Sequence, residues 1–166
     1  MKRMIALSSL VAAVALTLSI DGAATAADFS GTWVMDGSRS KGVPPDMEQT
    51  MTVKQTGDML SVETKVVTDQ GDQTLSASYS LDGKETPYTP KRGGAEGKGK
   101  RTAKWSADGN GFGATEEEKF DSPNGEVTLR FKRKWQLLPD GRTLIIELDV
   151  KGPNGPQHSR RTFVKK

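Results

Sequence analysis

The residues best suited to chemistry lie in two short runs, Glu116-Glu117-Glu118 and Arg130-Phe131-Lys132-Arg133-Lys134. On a β-strand alternate side chains share a face. Glu116 and Glu118 therefore share a parity with Phe112 and Phe120, and Arg133 shares one with Phe131 and Trp135. A tight turn at Asp108-Gly109 places Arg101 opposite Glu116. A loop at Asp121–Glu126 places Phe120 opposite Val127, Glu116 opposite Phe131, and Arg133 opposite Ala114, diagonal to Glu116. If that face points inward, carboxylate and guanidinium groups are enclosed among aromatic rings. Buried charge is costly unless paired, so such a cluster is well suited to meeting the polar group of a ligand. The same pattern also fits a structural ion pair near a barrel end, or a strand whose middle faces water. Arg101, Glu116, Arg133, Tyr79, Trp105 and Phe131 are the candidate ligand-binding residues.

Other chemistries find less support. The chain has no cysteine and one histidine, which excludes a disulfide scaffold, thiol catalysis, Cys-ligated metal and multi-His sites. Gly94-Ala95-Glu96-Gly97-Lys98-Gly99-Lys100 has P-loop spacing, but Arg101 follows where a Ser or Thr must hold Mg²⁺. Ser38-Arg39-Ser40-Lys41 matches Ser-x-x-Lys without the motifs that accompany it in penicillin-recognising enzymes. Consecutive Glu116, Glu117 and Glu118 cannot converge on one cation from a strand. His158 reads as a strand-end residue. Lys91, Arg92, Lys98, Lys100, Arg101 and Lys104, with Arg130, Lys132 and Lys134, could form an anion-binding surface, and Arg130, Lys132 and Lys134 take the wet parity of their strand. No catalytic residue, cofactor or metal site is assigned.

These side chains need strands to position them. The 166 residues contain 18 glycines and 8 prolines and only 34% hydrophobic residues, matching one turn-rich domain. Gly57-Asp58, Asp82-Gly83, Asp108-Gly109 and Asp140-Gly141, with Asn-Gly at 110–111, 124–125 and 154–155, punctuate short β-type runs. The spacing predicts nine or ten antiparallel strands near 29–36, 48–56, 59–68, 73–81, 84–89, 99–107, 110–120, 126–137, 142–151 and 157–165. Turn arithmetic puts Gln55 opposite Leu60, Val53 opposite Val62, Trp105 opposite Phe112, Trp135 opposite Leu144 and Phe131 opposite Leu148. A meander of this length must close or stack to hide its edges, and consecutive hairpins favour an all-β up-and-down barrel. Pro87–Gly99 reads as a long, flexible, basic loop.

Met1-Lys2-Arg3, the apolar run Met4–Ile20 and the small residues up to Ala27 read as a signal peptide over residues 1–27. Residues 28–166 then form a single barrel domain, periplasmic or secreted. The net charge of +3 is too small to argue for nucleic acid.

The barrel domain opens Phe29-Ser30-Gly31-Thr32-Trp33. A Gly-x-Trp on the first strand of an antiparallel meander resembles the lipocalins and fatty-acid-binding proteins, together the calycins. The resemblance implies that Trp33 plugs the closed end behind Gly31, with Arg160 or Arg161 packed over its ring; the register around Pro153–Pro156 leaves open which. No helix-length segment follows the first strand, where Gly37–Pro45 stands instead. The resemblance also implies a monomer that binds a small apolar or amphipathic molecule without catalysis, in possible peripheral contact with the envelope. The alternative is a filled barrel that acts as an envelope interaction or inhibitor module through its surface loops.

Overall fold

A computed structural model describes residues 26–123 and 125–166. The expected leader over residues 1–27 lies almost wholly outside the described residues. The described chain forms twelve strands: β1 Gly31–Met35, β2 Glu48–Thr56, β3 Met59–Thr68, β4 Gly71–Ser80, β5 Asp82–Tyr88, β6 Lys91–Arg92, β7 Ala95–Glu96, β8 Lys98–Trp105, β9 Gly111–Ser122, β10 Gly125–Leu137, β11 Thr143–Gly152 and β12 Gly155–Lys165. Ten of them make one antiparallel sheet in the order β4-β3-β2-β1-β12-β11-β10-β9-β8-β5. First strand meets last, so the meander curls into a nearly closed barrel. The seam left open lies between β4 and β5, which follow each other in the chain without a ladder between them. Arg101 on β8 bridges that opening, its Nη1 donating to the Ser78 carbonyl on β4 at 2.6 Å.

Alternation decides what points inward. On β2, Gln49, Met51 and Val53 are buried while Thr50, Thr52 and Lys54 are exposed. On β9, Phe112, Ala114, Glu116, Glu118 and Phe120 are buried, so the charged parity is the interior one. The expected registers hold for β2–β3 and for both flanks of β9, with Val53 opposite Val62, Arg101 opposite Glu116, and Glu116 opposite Phe131. The β10–β11 register differs by two residues: Trp135 faces Ile146 rather than Leu144, and Phe131 faces Val150 rather than Leu148. The connection is longer than a tight turn because the Asp140 carboxylate accepts from the Arg142 and Thr143 amides, each at 2.8 Å. Pairing starts only at Leu137–Leu144. A two-residue slip leaves every side chain on its expected face.

One further expectation is corrected. Pro87–Gly99 is not a structureless loop: it ends β5, carries the β6–β7 hairpin and enters β8. Its Gly93-Gly94 turn has φ of 54° and 84°, a conformation open to glycine at no steric cost. Gly37–Pro45 begins with a 3-10 turn at Gly37–Arg39, capped by the Asp36 carboxylate, and runs on along β12 as far as a Lys41–Arg160 bridge. Ser38, first residue of the Ser-x-x-Lys match, has its hydroxyl bound to Asp36 Oδ1 at 2.6 Å.

One end of the barrel is solid. Phe29 is fully buried there, edge-on to Phe112 and Trp135 and stacked on Trp105 at 6.0 Å. Trp33 is equally buried, its indole N–H donating to the Phe29 carbonyl at 2.8 Å. The cation over Trp33 is Lys165, with Nζ 5.3 Å from the ring, and not Arg160 or Arg161. The register gives the reason: Trp33 pairs with Lys165, the last residue of β12, whereas Arg161 lies opposite Ile146, further along the barrel. Arg160 points outward toward Glu147, 4.0 Å away. Gly31 serves this contact, because a Cβ there would come within 2.7 Å of Lys165 Cε, and its φ is +130°.

Gly31→Ala is therefore expected to destabilise the protein by about 1–3 kcal/mol through backbone strain and displacement of Lys165. Urea unfolding followed by tryptophan fluorescence checks this. Unchanged stability would mean that Gly31 is not what seats the cation over Trp33.

Candidate functional site

Above the aromatic floor the barrel is hollow. A cavity of about 450 Å³ is walled by Met51, Val62, Leu75, Ala77, Trp135, Ile146 and Phe163, and by a ring of polar groups on five strands and the hairpin. β9 supplies Glu116 and Glu118, β8 Arg101, β10 Arg133, β12 Arg161, and β2 Gln49.

Glu116 is the hub. Its side chain is 2% exposed; Oε2 accepts from Arg101 Nη2 at 2.9 Å and Oε1 from Arg133 Nε at 2.7 Å. Tyr88 donates its hydroxyl to Glu118 Oε1 at 2.9 Å and lies 3.2 Å from Glu116 Oε2. Glu118 Oε2 accepts from Arg92 Nε at 2.8 Å. The Arg101 guanidinium packs on two rings, its carbon 4.5 Å from the Tyr79 centroid and 4.2 Å from that of Tyr88.

These partners set the protonation states. Burial disfavours the Glu116 carboxylate, but the charges of Arg133 and Arg101 and their hydrogen bonds outweigh it and hold its pKa below the ordinary glutamate value. Burial likewise works against Arg101 and Arg133, yet the charge and hydrogen bonds of the Glu116 carboxylate keep both firmly protonated. The Tyr79 and Tyr88 hydroxyls are pushed upward, first by burial, so both stay neutral donors. Arg161 behaves in the opposite way. Burial, then repulsion from Arg133, pulls its pKa down, and its one polar contact is Nη1 to the Gln49 amide oxygen at 3.3 Å. Among the described residues it has no carboxylate partner, and its Nε is buried without an acceptor. Trp135 Nε1 and Arg101 Nε share that condition.

Of the residues expected to bind, Tyr79, Arg101, Glu116 and Arg133 line this cavity together. Phe131 faces inward and is buried beneath the guanidinium groups of Arg92 and Arg133, at 5.0 and 5.6 Å. Trp105 does not join them. It belongs to the floor, stacked on Phe29, with its indole N–H bound to Asp58 at 2.9 Å. Arg161, expected at the barrel closure, lines the cavity instead.

Sequence reasoning passed over Tyr88 and Gln49 and read Arg92 only as part of a basic surface. A bulge between Asp82 and Glu85 hides the β5–β8 register from turn arithmetic. A usable signal was present: Tyr88 pairs with Gly99, where a Cβ would meet the tyrosine ring at 2.7 Å. An aromatic ring covering a cross-strand glycine is a recurrent sheet device. His158 pairs on the outer surface with Asp149 at 2.7 Å.

No family model and no curated protein matches the sequence. Solved structures do match in fold. The ileal bile acid-binding protein of zebrafish, crystallised with cholic acid, aligns with a TM-score of 0.50 and 15% identity over 83% of this chain and 98% of that one. A secretory abundant heat soluble protein of Ramazzottius varieornatus aligns with a TM-score of 0.49 and 12% identity, covering 86% of this chain and 98% of its own. The chain thus shares with the zebrafish protein the fold of a nearly closed, ten-stranded antiparallel barrel.

Removing the hub carboxylate leaves the buried Arg101 and the partly exposed Arg133 without their counterion, so Glu116→Gln is expected to cost about 3 kcal/mol at neutral pH. A lowered carboxylate pKa contributes stability that is complete above the unfolded value of about 4.3 and is lost as pH falls through the folded one. Urea midpoints of the natural protein should hold from pH 7 to about 5 and then fall with acid, whereas those of Glu116→Gln should fall less. Identical acid profiles would show that Glu116 carries no such charge.

Proposed function

We propose that the protein binds, without catalysis, a small amphipathic molecule whose acidic head group enters the barrel, and that it does so as a secreted periplasmic protein. Arg161 carries the reading. Its side chain is partly buried, with Nε enclosed and without an acceptor, and a cation half withdrawn from water with no counterion costs free energy that an anionic partner recovers. Arg92, Arg101, Arg133 and Arg161 line the cavity against only Glu116 and Glu118, so the site is short of negative charge. An acidic group beside Arg161 would supply that charge, and ligand oxygens could accept from the orphaned Arg161 and Trp135 donors. The apolar wall of Met51, Val62, Leu75, Ile146 and Phe163 suits a short aliphatic or alicyclic body. The volume lies in the range of small-molecule sites. The bound cholic acid of the zebrafish relative in fold, itself an acid on an alicyclic body, supports this ligand class. The filled floor argues against a long chain extended through the whole barrel. Export is supported by the basic, apolar and small-residue pattern of residues 1–27.

Titration with 8-anilinonaphthalene-1-sulfonate, a fluorescent aromatic acid, tests the reading. The protein should bind one equivalent. Arg161→Met should weaken binding by at least about tenfold while leaving stability unchanged or raised, since replacing a partly buried charge that has no counterion by an apolar group is neutral or favourable. Equal affinity in the two proteins would contradict the assignment of Arg161 to the head group.

A further inference from the structure

We propose that the β6–β7 hairpin is a lid over the cavity and that the Arg92–Glu118 ion pair is its latch. The cavity is the one taken above as the ligand site, and the inference rests on that reading only for its ligand-exchange readout. Thr89, Pro90, Lys91 and Arg92 all contribute to the lining, so the hairpin forms part of the cavity's enclosure. The Gly37–Pro45 segment contributes nothing to that lining; it lies along β12. The hairpin's base is anchored. Pro90 is buried, the Gly97 amide donates to the Pro90 carbonyl at 2.9 Å, and Gly97 sits so close to β9 that a Cβ would meet the Lys119 carbonyl at 2.5 Å.

Beyond that base the hairpin has little to hold it down. Every residue from Lys91 to Glu96 is exposed, and the internal Lys91–Glu96 pair at 2.8 Å joins the hairpin only to itself. The side-chain tie from the hairpin to the barrel wall is Arg92, with Nε 2.8 Å from Glu118 Oε2 and its guanidinium carbon 5.0 Å from the Phe131 centroid. Glu118 is 8% exposed and fixed from its other oxygen by Tyr88, while Arg92 is 48% exposed. A rigid buried acceptor thus meets a half-exposed cation on an otherwise loosely held tip. Segments with few buried apolar contacts open at low free-energy cost, and a half-exposed ion pair shifts an equilibrium by only about fivefold. The latch is therefore strong enough to favour the closed state and weak enough to release within the motions that commonly gate binding sites.

The variant Arg92→Ala tests the latch; Arg92 is exposed, so the barrel should fold without it. Hydrogen exchange of the amides of residues 91–97 in the unliganded protein should quicken about fivefold, with exchange elsewhere unchanged. Stopped-flow mixing with 8-anilinonaphthalene-1-sulfonate should show association accelerated about fivefold, which loss of one cavity cation would not by itself produce. Arg92→Lys, which keeps the charge, should restore most of the slow exchange. Unchanged hairpin exchange in Arg92→Ala would overturn the latch. Quickened hairpin exchange with unchanged probe rates would overturn the lid. If the probe fails to bind the natural protein, the ligand reading falls, and the hydrogen-exchange result still decides the latch.

Discussion

The interior depends on one carboxylate, Glu116, placed where water cannot reach it and held between two guanidinium groups. Everything around it follows from the cost of burying charge. Arg101 can enter the barrel because Glu116 and the Ser78 carbonyl take its protons and two tyrosine rings cover it; the same arginine ties β8 to β4 across the open seam. Arg133 is held by the other Glu116 oxygen, and Tyr88 links that acid to Glu118 and so to the hairpin. A replacement by apolar residues of equal volume would give a more conventional core. On the proposed function, the polar network kept inside the barrel, with one arginine lacking a carboxylate among the described residues, is preorganisation for a charged guest.

The closed end makes this possible. Phe29, Trp33, Phe112 and Trp135 fill the floor with rings in stacked and edge-on contact, and Lys165 caps Trp33. Aromatic packing of this kind supplies a large share of the burial in a chain of modest apolar content. The stability gained there offsets the charged upper half, so a packed floor supports a polar cavity.

Much of this was legible in the sequence because strands have a period of two. Parity alone put Glu116, Arg133 and Phe131 on one face while leaving open whether it is the inner one, and the Asp108-Gly109 turn gave Arg101 and Glu116 as partners. Where the turn was not tight, arithmetic slipped: Asp140 organises a longer loop, and β10–β11 moved by two residues without changing faces. Which arginine of Arg160-Arg161 faces inward was not legible, since it turns on one residue of register at Pro153-Asn154; with Gly152 opposite Gly155, Arg161 goes in. The cation over Trp33 was misassigned for a related reason. A motif shared by resemblance names a role, but the role falls to whichever basic residue the register delivers, here Lys165. Tyr88 was passed over, and Arg92 was read only as part of a basic surface, because a bulge and a short hairpin break the periodicity on which the reading relied.

The most direct test of the account is calorimetric titration of the protein with decanoate and with decanol, two molecules that share a chain and differ in the charge of the head group. The excess of arginine over glutamate in the cavity predicts a saturable 1:1 site for the acid and binding of the alcohol at least about tenfold weaker, as for loss of a charge-assisted contact. Equal affinities, or binding of neither, would contradict the claim that the barrel holds its arginines for an acidic ligand.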